Sequence, residues 1–387
     1  MREEVAVVGV GHAKFGKRRD ATLRELAHEA ARGCFAEAGL TPADMDASVV
    51  GVCGDYFTGQ GTPAPLINDY LGMSQKPTIR VESACATGTA ALRTAWAQIK
   101  AGQHDLIAVI GVEQMTLVSS AQATEMMARG GDLRWEYPFG CTFPGFYAHY
   151  ASAHMNEFGT TREQLSSIGV KNHHYGAKNP YAHLQKEVTL EEAMKAIWIA
   201  YPLNLYDCCL ISDGAAVAIL ASAEKAKQIT DTPIWITGVG ASSDTMLLSG
   251  RTSLVGLPSA VRASQTAFKI AGVGQDDIDV AEVHDCFSIA EIMAYEDIGF
   301  CKKGEGGKLA ESGQTYHDGK IPVNVDGGLK SKGHPLGATG VSQCYTLVKQ
   351  LRGEAPKGCQ VAGPEIALCH NVGQHGQYCN VIIYQRG

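Results

Sequence analysis

The chain has 387 residues, 45% of them hydrophobic and 19% charged, with a formal net charge of −7. That length supplies core for two domains or one large duplicated unit, and the composition is that of a globular protein, not a disordered or fibrous one. The acidic balance argues against general nucleic-acid or anionic-membrane binding, so a phosphate-bearing ligand must be met by local basic residues or helix ends.

A buried strand is predicted over residues 5–10, then an amphipathic helix from Thr22 to about Ala38, with Thr22 three residues before Glu25 as in a capping box. A strand at 48–53, a helix after Cys85 and a strand at 105–111 (DLIAVIG) continue the alternation. Strands alternating with helices predict a parallel or mixed sheet covered on both faces. From about Met115 to Tyr206 the pattern dissolves into glycines, prolines and aromatics, with helical pieces at 144–158 and 161–178. This stretch reads as an inserted subdomain over a site; a structural or oligomer-forming excursion is the alternative. Residues 212–220 (SDGAAVAIL) return as a buried strand, and a second half starts near Pro233. The expected division is 1–115 with 206–230, an insert at 116–205, and 231–387.

The two halves repeat one text. VAVVGVG at 5–11 matches IWITGVG at 234–240, and AGLTPADMD at 38–46 matches AGVGQDDID at 271–279. A polar loop enters a helix through Ala-Thr-Gly at 86–88 and again at 338–340; the first loop carries Cys85 and the second His334. Packing about a pseudo-two-fold axis would bring those helix starts together, and a thiol facing an imidazole is a nucleophile with its base. Around Cys85 (VESACATGTAAL, 81–92) small neighbours admit a carbonyl, the helix start favours thiolate, and the Cys85 N–H can serve as an oxyanion donor. A buried structural cysteine is the ordinary alternative.

The His334 loop (NVDGGLKSKGHPLGATG, 324–340) holds five glycines and a proline, which is poor packing material and a shaped loop. Its imidazole can take the Cys85 proton. After an apolar strand at 280–283, His284-Asp285-Cys286-Phe287 places a second imidazole and a second thiol on the same rim. Cys286 could move a proton to or from carbon while Cys85 is acylated. The last strand, 365–368, ends in CHNVGQHG (369–376), where the Gly373 N–H is a candidate second oxyanion donor. Asn371, His370 and His375 read equally as wall or as participants.

The twelve cysteines are scattered through predicted core with no disulfide spacing, which points to a reducing compartment. Met1-Arg2-Glu3-Glu4 leads into no signal-like apolar run, Gln385-Arg386-Gly387 is no peroxisomal address, and no apolar run reaches the roughly 18–20 residues of a membrane span. A cytoplasmic location is expected. Gly9-Val10-Gly11 fails the dinucleotide-binding spacing, and the adjacent pairs Cys208-Cys209 and His173-His174 are poor ligand sets for one ion. Neither a metal nor a permanently bound cofactor is expected.

Together these motifs resemble the thiolase superfamily, in the sterol-carrier-protein-type and archaeal branch that carries HDCF. The likeness spans essentially the whole chain, through VESACATGTAAL, GVEQMT (111–116), PLNLYDCCLISDGAA (202–216), HDCF and GGLKSKGHPLGATG. It implies an α/β duplicated thiolase fold, two βαβαβαββ halves in five layers α-β-α-β-α with an inserted loop subdomain. It implies cleavage of a 3-oxoacyl-CoA by free CoA through a Cys85 acyl-enzyme, or the reverse Claisen condensation, with CoA as co-substrate. Typical thiolases have asparagine at the His284 position and a C-x-G cysteine where this chain reads Asn371-Val372-Gly373, so the resemblance makes Cys286 the acid/base. A homodimer is implied, and a separately encoded small OB-fold, zinc-ribbon protein as partner.

Within the branch the wording is similar to benzoylsuccinyl-CoA thiolases, which would give benzoyl-CoA and succinyl-CoA, with Arg134 or Lys178 meeting the free carboxylate. The alternatives are an acetyl-CoA acetyltransferase, a decarboxylating ketoacyl-synthase-type enzyme using Cys85, His284 and His334, or a silent scaffold or acyl-CoA-binding subunit. A nicotinamide-dependent dehydrogenase is disfavoured by the broken glycine spacing.

Overall fold

A computed structural model describes residues 4–387. Met1-Arg2-Glu3, part of the N-terminus read above, lie outside the described residues.

The first half holds β1 (Val5–His12), α1 (Leu23–Ala38), β2 (Ala47–Gly51), β3 (Thr78–Val81), α2 (Thr87–Lys100), β4 (Leu106–Glu113) and, after the insert, β5 (Gly214–Ser222). The insert contributes α3 (Phe143–Phe158) and α4 (Arg162–Gly176). The second half holds β6 (Ile234–Ser243), α5 (Pro258–Ala271), β7 (Val280–Glu282), α6 (Ser288–Ile298), α7 (Leu336–Arg352), β8 (Ile366–Gly373) and β9 (Tyr378–Arg386). The expected start of α1 holds: the Thr22 N–H donates to Glu25 Oε2 at 2.7 Å, the Glu25 half of a capping box. The second strand stops at Gly51, two residues short of the expected Cys53, whose N–H is taken by the Glu113 carboxylate at 2.8 Å.

The strands run in the order β3-β2-β4-β5-β1-β6-β9-β8-β7. In the first half β2 is parallel to β3 and β4, and β5 is antiparallel to β4 and β1. The second half repeats this arrangement. There β7 is parallel to β8 and, through an Ala281–Val323 bridge, to the chain entering the His334 loop, while β9 is antiparallel to β8 and β6. The halves join where Ala6 and Val7 of β1 pair with Trp235 and Ile234 of β6.

Side-chain alternation sorts the layers. Ala6 and Val8 point outward onto Leu26 and Ala30 of α1, whereas Val5 and Val7 join Leu92 of α2 and Leu347 of α7 in the central layer. Helix α5 covers β6 and β9 on the opposite outside, so the duplicated fold has five layers, α-β-α-β-α. The insert is anchored to the second half: Tyr147, Tyr150, Leu165 and Ile168 pack with Phe287, Ile292 and Met293. Among the described residues no helix is long and apolar enough to cross a membrane.

Candidate active site

Cys85 occupies a single turn (Ala84–Ala86) directly before α2. Ala84 has φ +49, in the left-handed region that disfavours a side chain, and this tight reversal takes the chain from β3 into the helix. Thr87 locks the turn: its Oγ1 accepts the Ser83 N–H at 2.9 Å and donates to the Ala84 carbonyl at 2.6 Å. The N–H groups of Gln374 and of Cys85 itself donate toward the sulfur. Burial nevertheless pushes the thiol up to about 12, with the Glu113 charge adding to it. The expected preference for thiolate at the helix start is therefore outweighed, and the resting group is a thiol.

His334 stands two residues before α7. Its Nδ1 lies 2.7 Å from Thr339 Oγ1, and that hydroxyl donates to the Pro335 carbonyl at 2.9 Å. Having spent its proton there, Thr339 accepts from Nδ1–H, which leaves the Nε2 lone pair facing the site. Burial lowers this imidazole to about 3, so at rest it is neutral.

The second histidine is set the other way round. Asn371 Nδ2 lies 3.0 Å from His284 Nδ1, and Asn371 Oδ1 lies 3.0 Å from Thr89 Oγ1, whose single proton is shared with the Ala86 carbonyl at 2.9 Å. The amide donates to Nδ1, so His284 carries its proton on Nε2 and is a donor. Burial, then the neighbouring His334 and His370, hold it well below the ordinary histidine range. The two rings meet edge to face at 5.0 Å, and both Nε2 atoms are buried without a partner among the described residues. The Cys85 sulfur and one nitrogen of each ring lie within 4.8 Å of one another. One lone pair and one N–H thus converge on one sulfur.

Cys286 reaches the same place from β7. The Cys209 N–H donates to the Cys286 carbonyl at 2.8 Å, which ties the HDCF run to the PLNLYDCC segment. Asp285 accepts from the N–H groups of Leu329 (2.7 Å) and Lys330 (3.3 Å) and from Asn172 Nδ2 (2.7 Å), joining this run to the His334 loop and to α4. Burial and the Glu291 charge raise Asp285 to about 6. The Cys286 thiol is pushed up by burial, against which the nearby Tyr147 hydroxyl favours the thiolate. Glu113 performs a similar joining task, accepting from Cys53, Gly54 and Gly337; burial raises it to about 7.

A cavity of about 550 Å³ opens onto Cys85, Cys286, His334 and Gln374 and is otherwise mostly apolar, with Met127 and Phe143 of the insert and Ile199, Leu205 and Leu336 in its walls. Its cations are the exposed Lys17 and the buried Lys330, whose Nζ donates to the Asp207 carbonyl at 2.6 Å. Neither Arg134 nor Lys178 lines it. Arg134 is on the surface with its N–H on Asp132, and Lys178 Nζ sits 2.6 Å from His174 Nε2.

Gly373 ends β8 against the Ser83 carbonyl, where a Cβ would come within 2.4 Å; the N–H facing the sulfur belongs to the next residue, Gln374, at φ +57. His370 backs the site, its Nδ1 accepting the His284 N–H at 3.4 Å. His375 stacks on Phe146 at 4.1 Å, facing the insert. Sequence reasoning passed over Thr339, Glu113, Gln374 and Tyr147. Glu113 alone left a signal, a carboxylate ending an otherwise apolar strand.

A cysteine at one of two duplicated helix starts, with an imidazole at the other, is the arrangement of a covalent nucleophile beside its base. Residues 5–224 match the thiolase N-terminal domain family and residues 240–386 the thiolase C-terminal domain-like family. The chain is 45% identical to an acetyl-CoA acetyltransferase of Methanothermobacter thermautotrophicus, covering 99% of this chain and 100% of that protein. It is 34% identical to the benzoylsuccinyl-CoA thiolase subunit BbsB of Thauera aromatica, covering 96% and 95%. Among solved structures the Ltp2-ChsH2(DUF35) aldolase is similar with a TM-score of 0.85 at 24% identity, covering 99% of this chain and 97% of that one. The chain belongs to the thiolase family and is an acyltransferase.

Proposed function

We propose that this chain carries an acyl group on Cys85 between a 3-oxoacyl-CoA and free CoA, or in reverse condenses two acyl-CoA molecules. The observation that carries the reading is the cluster of the Cys85 sulfur with one nitrogen from each of two buried imidazoles within 4.8 Å. His334 Nε2 takes the Cys85 proton as sulfur attacks the keto carbon. The C2–C3 bond breaks, and the enolate oxygen is held by His284 Nε2–H and the newly protonated His334. Cys286 gives its proton to C2, and the shortened acyl-CoA leaves. The Cys286 thiolate then deprotonates CoA, whose sulfur attacks the acyl-enzyme, and His334 returns its proton to Cys85. The N–H groups of Cys85 and Gln374, the latter in place of the Gly373 N–H, are proposed to hold the tetrahedral oxyanion; losing one such donor typically raises a barrier by about 2.7–4 kcal/mol.

For the acyl group, the relative at 45% identity favours acetyl transfer, an acetyl-CoA acetyltransferase activity. The second reading is a bulkier group such as benzoylsuccinyl, favoured by the 550 Å³ apolar cavity and the relative at 34%. If a free carboxylate is bound, Lys330 or Lys17 is better placed for it than Arg134 or Lys178. Thiolysis assays with acetoacetyl-CoA and benzoylsuccinyl-CoA separate the two readings, and cleavage of neither would refute both. A decarboxylating enzyme has no use for Cys286, so Cys286→Ala should abolish thiolysis while a malonyl-CoA condensation, if that is the activity, would survive.

A homodimer and a small OB-fold, zinc-ribbon partner belong to the same proposal. The outer strand β3 exposes an edge with Ile79, and Ile197, Trp198 and Tyr201 form an exposed apolar surface beside cavity residue Ile199. The name of the similar aldolase joins Ltp2 to ChsH2(DUF35), which supports looking for a second component. The division into 1–115 with 206–230, 116–205 and 231–387 is the proposed domain plan.

A further inference from the structure

Tyr147, on α3 of the insert, is fully buried. Its ring stacks on Phe287, the last residue of the HDCF run, with centroids 4.6 Å apart and planes inclined by 22°. Tyr150 stands behind it at 5.7 Å. The hydroxyl donates to the Gln374 carbonyl at 3.3 Å, and it stands near enough to the Cys286 sulfur to favour that thiolate. Gln374 is the residue whose N–H faces the Cys85 sulfur. One phenol from the insert therefore neighbours the second thiol and bonds the residue that supports the first.

We propose that Tyr147 is a positioning residue that lets Cys286 alternate between acid and base, its hydroxyl turning to follow the proton on the sulfur. With Cys286 as a thiol, Tyr147 O–H donates to the Gln374 carbonyl and its oxygen can accept the S–H. Once Cys286 has given its proton to carbon, the same O–H turns and donates to the thiolate. No proton leaves the phenol. Burial, with the Cys286 charge, holds Tyr147 well above its ordinary range, so it is a donor in both states. The proton lost by Cys286 forms the new C–H bond, and the one it regains comes from the CoA thiol. The need for such a donor is physical: a thiolate buried in an apolar cavity is strongly disfavoured, and a hydrogen bond to a charged acceptor is about twice as strong as one to a neutral acceptor.

The proposal rests on Cys286 being the acid/base. Tyr147→Phe keeps the ring and its stack and removes only the hydroxyl. Exchange of the C2 hydrogens of acetyl-CoA with deuterated solvent reports the Cys286 step, and alkylation of Cys85 by iodoacetamide, read by intact mass and peptide digestion, does not use Cys286. In Tyr147→Phe we expect exchange to fall by about ten- to a hundredfold and its rising pH limb to move up by about one unit, a tenfold change in thiolate fraction. Alkylation of Cys85 should be unchanged. Wild-type exchange and pH dependence, or exchange and Cys85 alkylation falling together, would overturn the proposal. Replacement by 3-fluorotyrosine, a stronger donor of nearly the same shape, should move the limb to lower pH; an unmoved limb also overturns it. Cys286→Ala should lose exchange outright. If it does not, the acid/base reading itself fails, a result distinct from a silent Tyr147→Phe.

Discussion

Gly88 and Gly340 lie back to back where α2 crosses α7. A Cβ built on Gly88 would come within 2.7 Å of the Gly340 nitrogen, and one on Gly340 within 2.3 Å of the Thr89 nitrogen. They are the third residues of the two Ala-Thr-Gly repeats, so the axis of the sequence duplication passes between them. Without side chains there, two main chains touch, and the residues just ahead of each helix, Cys85 and His334, are delivered to one place.

Alanine at Gly340 would drive a methyl group into the backbone of α2. Overpacking usually costs about 1–3 kcal/mol, and here no flexible side chain can yield. Gly340→Ala should lower the urea midpoint and lose most Cys85 acylation, read by denaturation and intact mass. A variant as stable and as readily acylated as the wild type would contradict the crossing.

The opposite protonation of the two histidines depends on Asn371 and Thr339. Aspartate at position 371 would accept a proton from His284 Nδ1 in place of donating to it, turning Nε2 from donor to lone pair. Asn371→Asp should therefore lose more turnover than Asn371→Ala, by about 10²–10³-fold relative to wild type, as for a removed oxyanion donor. Equal steady-state losses in the two variants would show that the amide only fills space.

With Cys85 near 12 and His334 near 3, the resting pair is a neutral thiol beside a neutral imidazole. Alkylation by iodoacetamide should keep rising with pH past about 9, since only the thiolate reacts. A plateau across the neutral range would indicate a preformed thiolate–imidazolium pair and contradict this.

Much of the site was legible because duplication is legible: two near-copies of one text fix where Cys85 and His334 must meet. The repeated order of parallel and antiparallel strands follows from the same text. The tautomers were not legible, because Thr339 and Asn371 act through distances of a few ångströms that spacing does not encode. Burial of the Cys85 thiol, which overrides the helix start, also depends on how the insert closes over it. Arg134 and Lys178 were assigned to a substrate carboxylate because they are cations in or near the insert, but which face the insert presents is decided by Tyr147, Tyr150 and Leu165 packing on α6.

Acid should destabilise the fold. His12, His334 and His375 are lowered to about 3, His370 to about 4 and His284 well below 6.5. Between those values and 6.5 the unfolded chain binds more protons, so stability rises with pH across the window and is lost as pH falls through it, by up to about 1.4 kcal/mol per pH unit per group. Glu113, Asp285 and Glu282, with raised affinities, pull the other way by holding protons the unfolded chain releases above about pH 4. The histidines outnumber them. The urea midpoint should be lower at about pH 5 than at about pH 7; a higher midpoint at pH 5 would mean the carboxylates dominate.

Intact-mass measurement after mixing the protein with acetyl-CoA decides whether sulfur 85 is the acyl carrier. The wild type should gain the mass of one acetyl group, mapped by peptide digestion to Cys85 and removed by added CoA, and Cys85→Ser should gain none. An adduct on Cys286 with Cys85 free, or no adduct on a folded wild-type protein, would contradict the site as drawn.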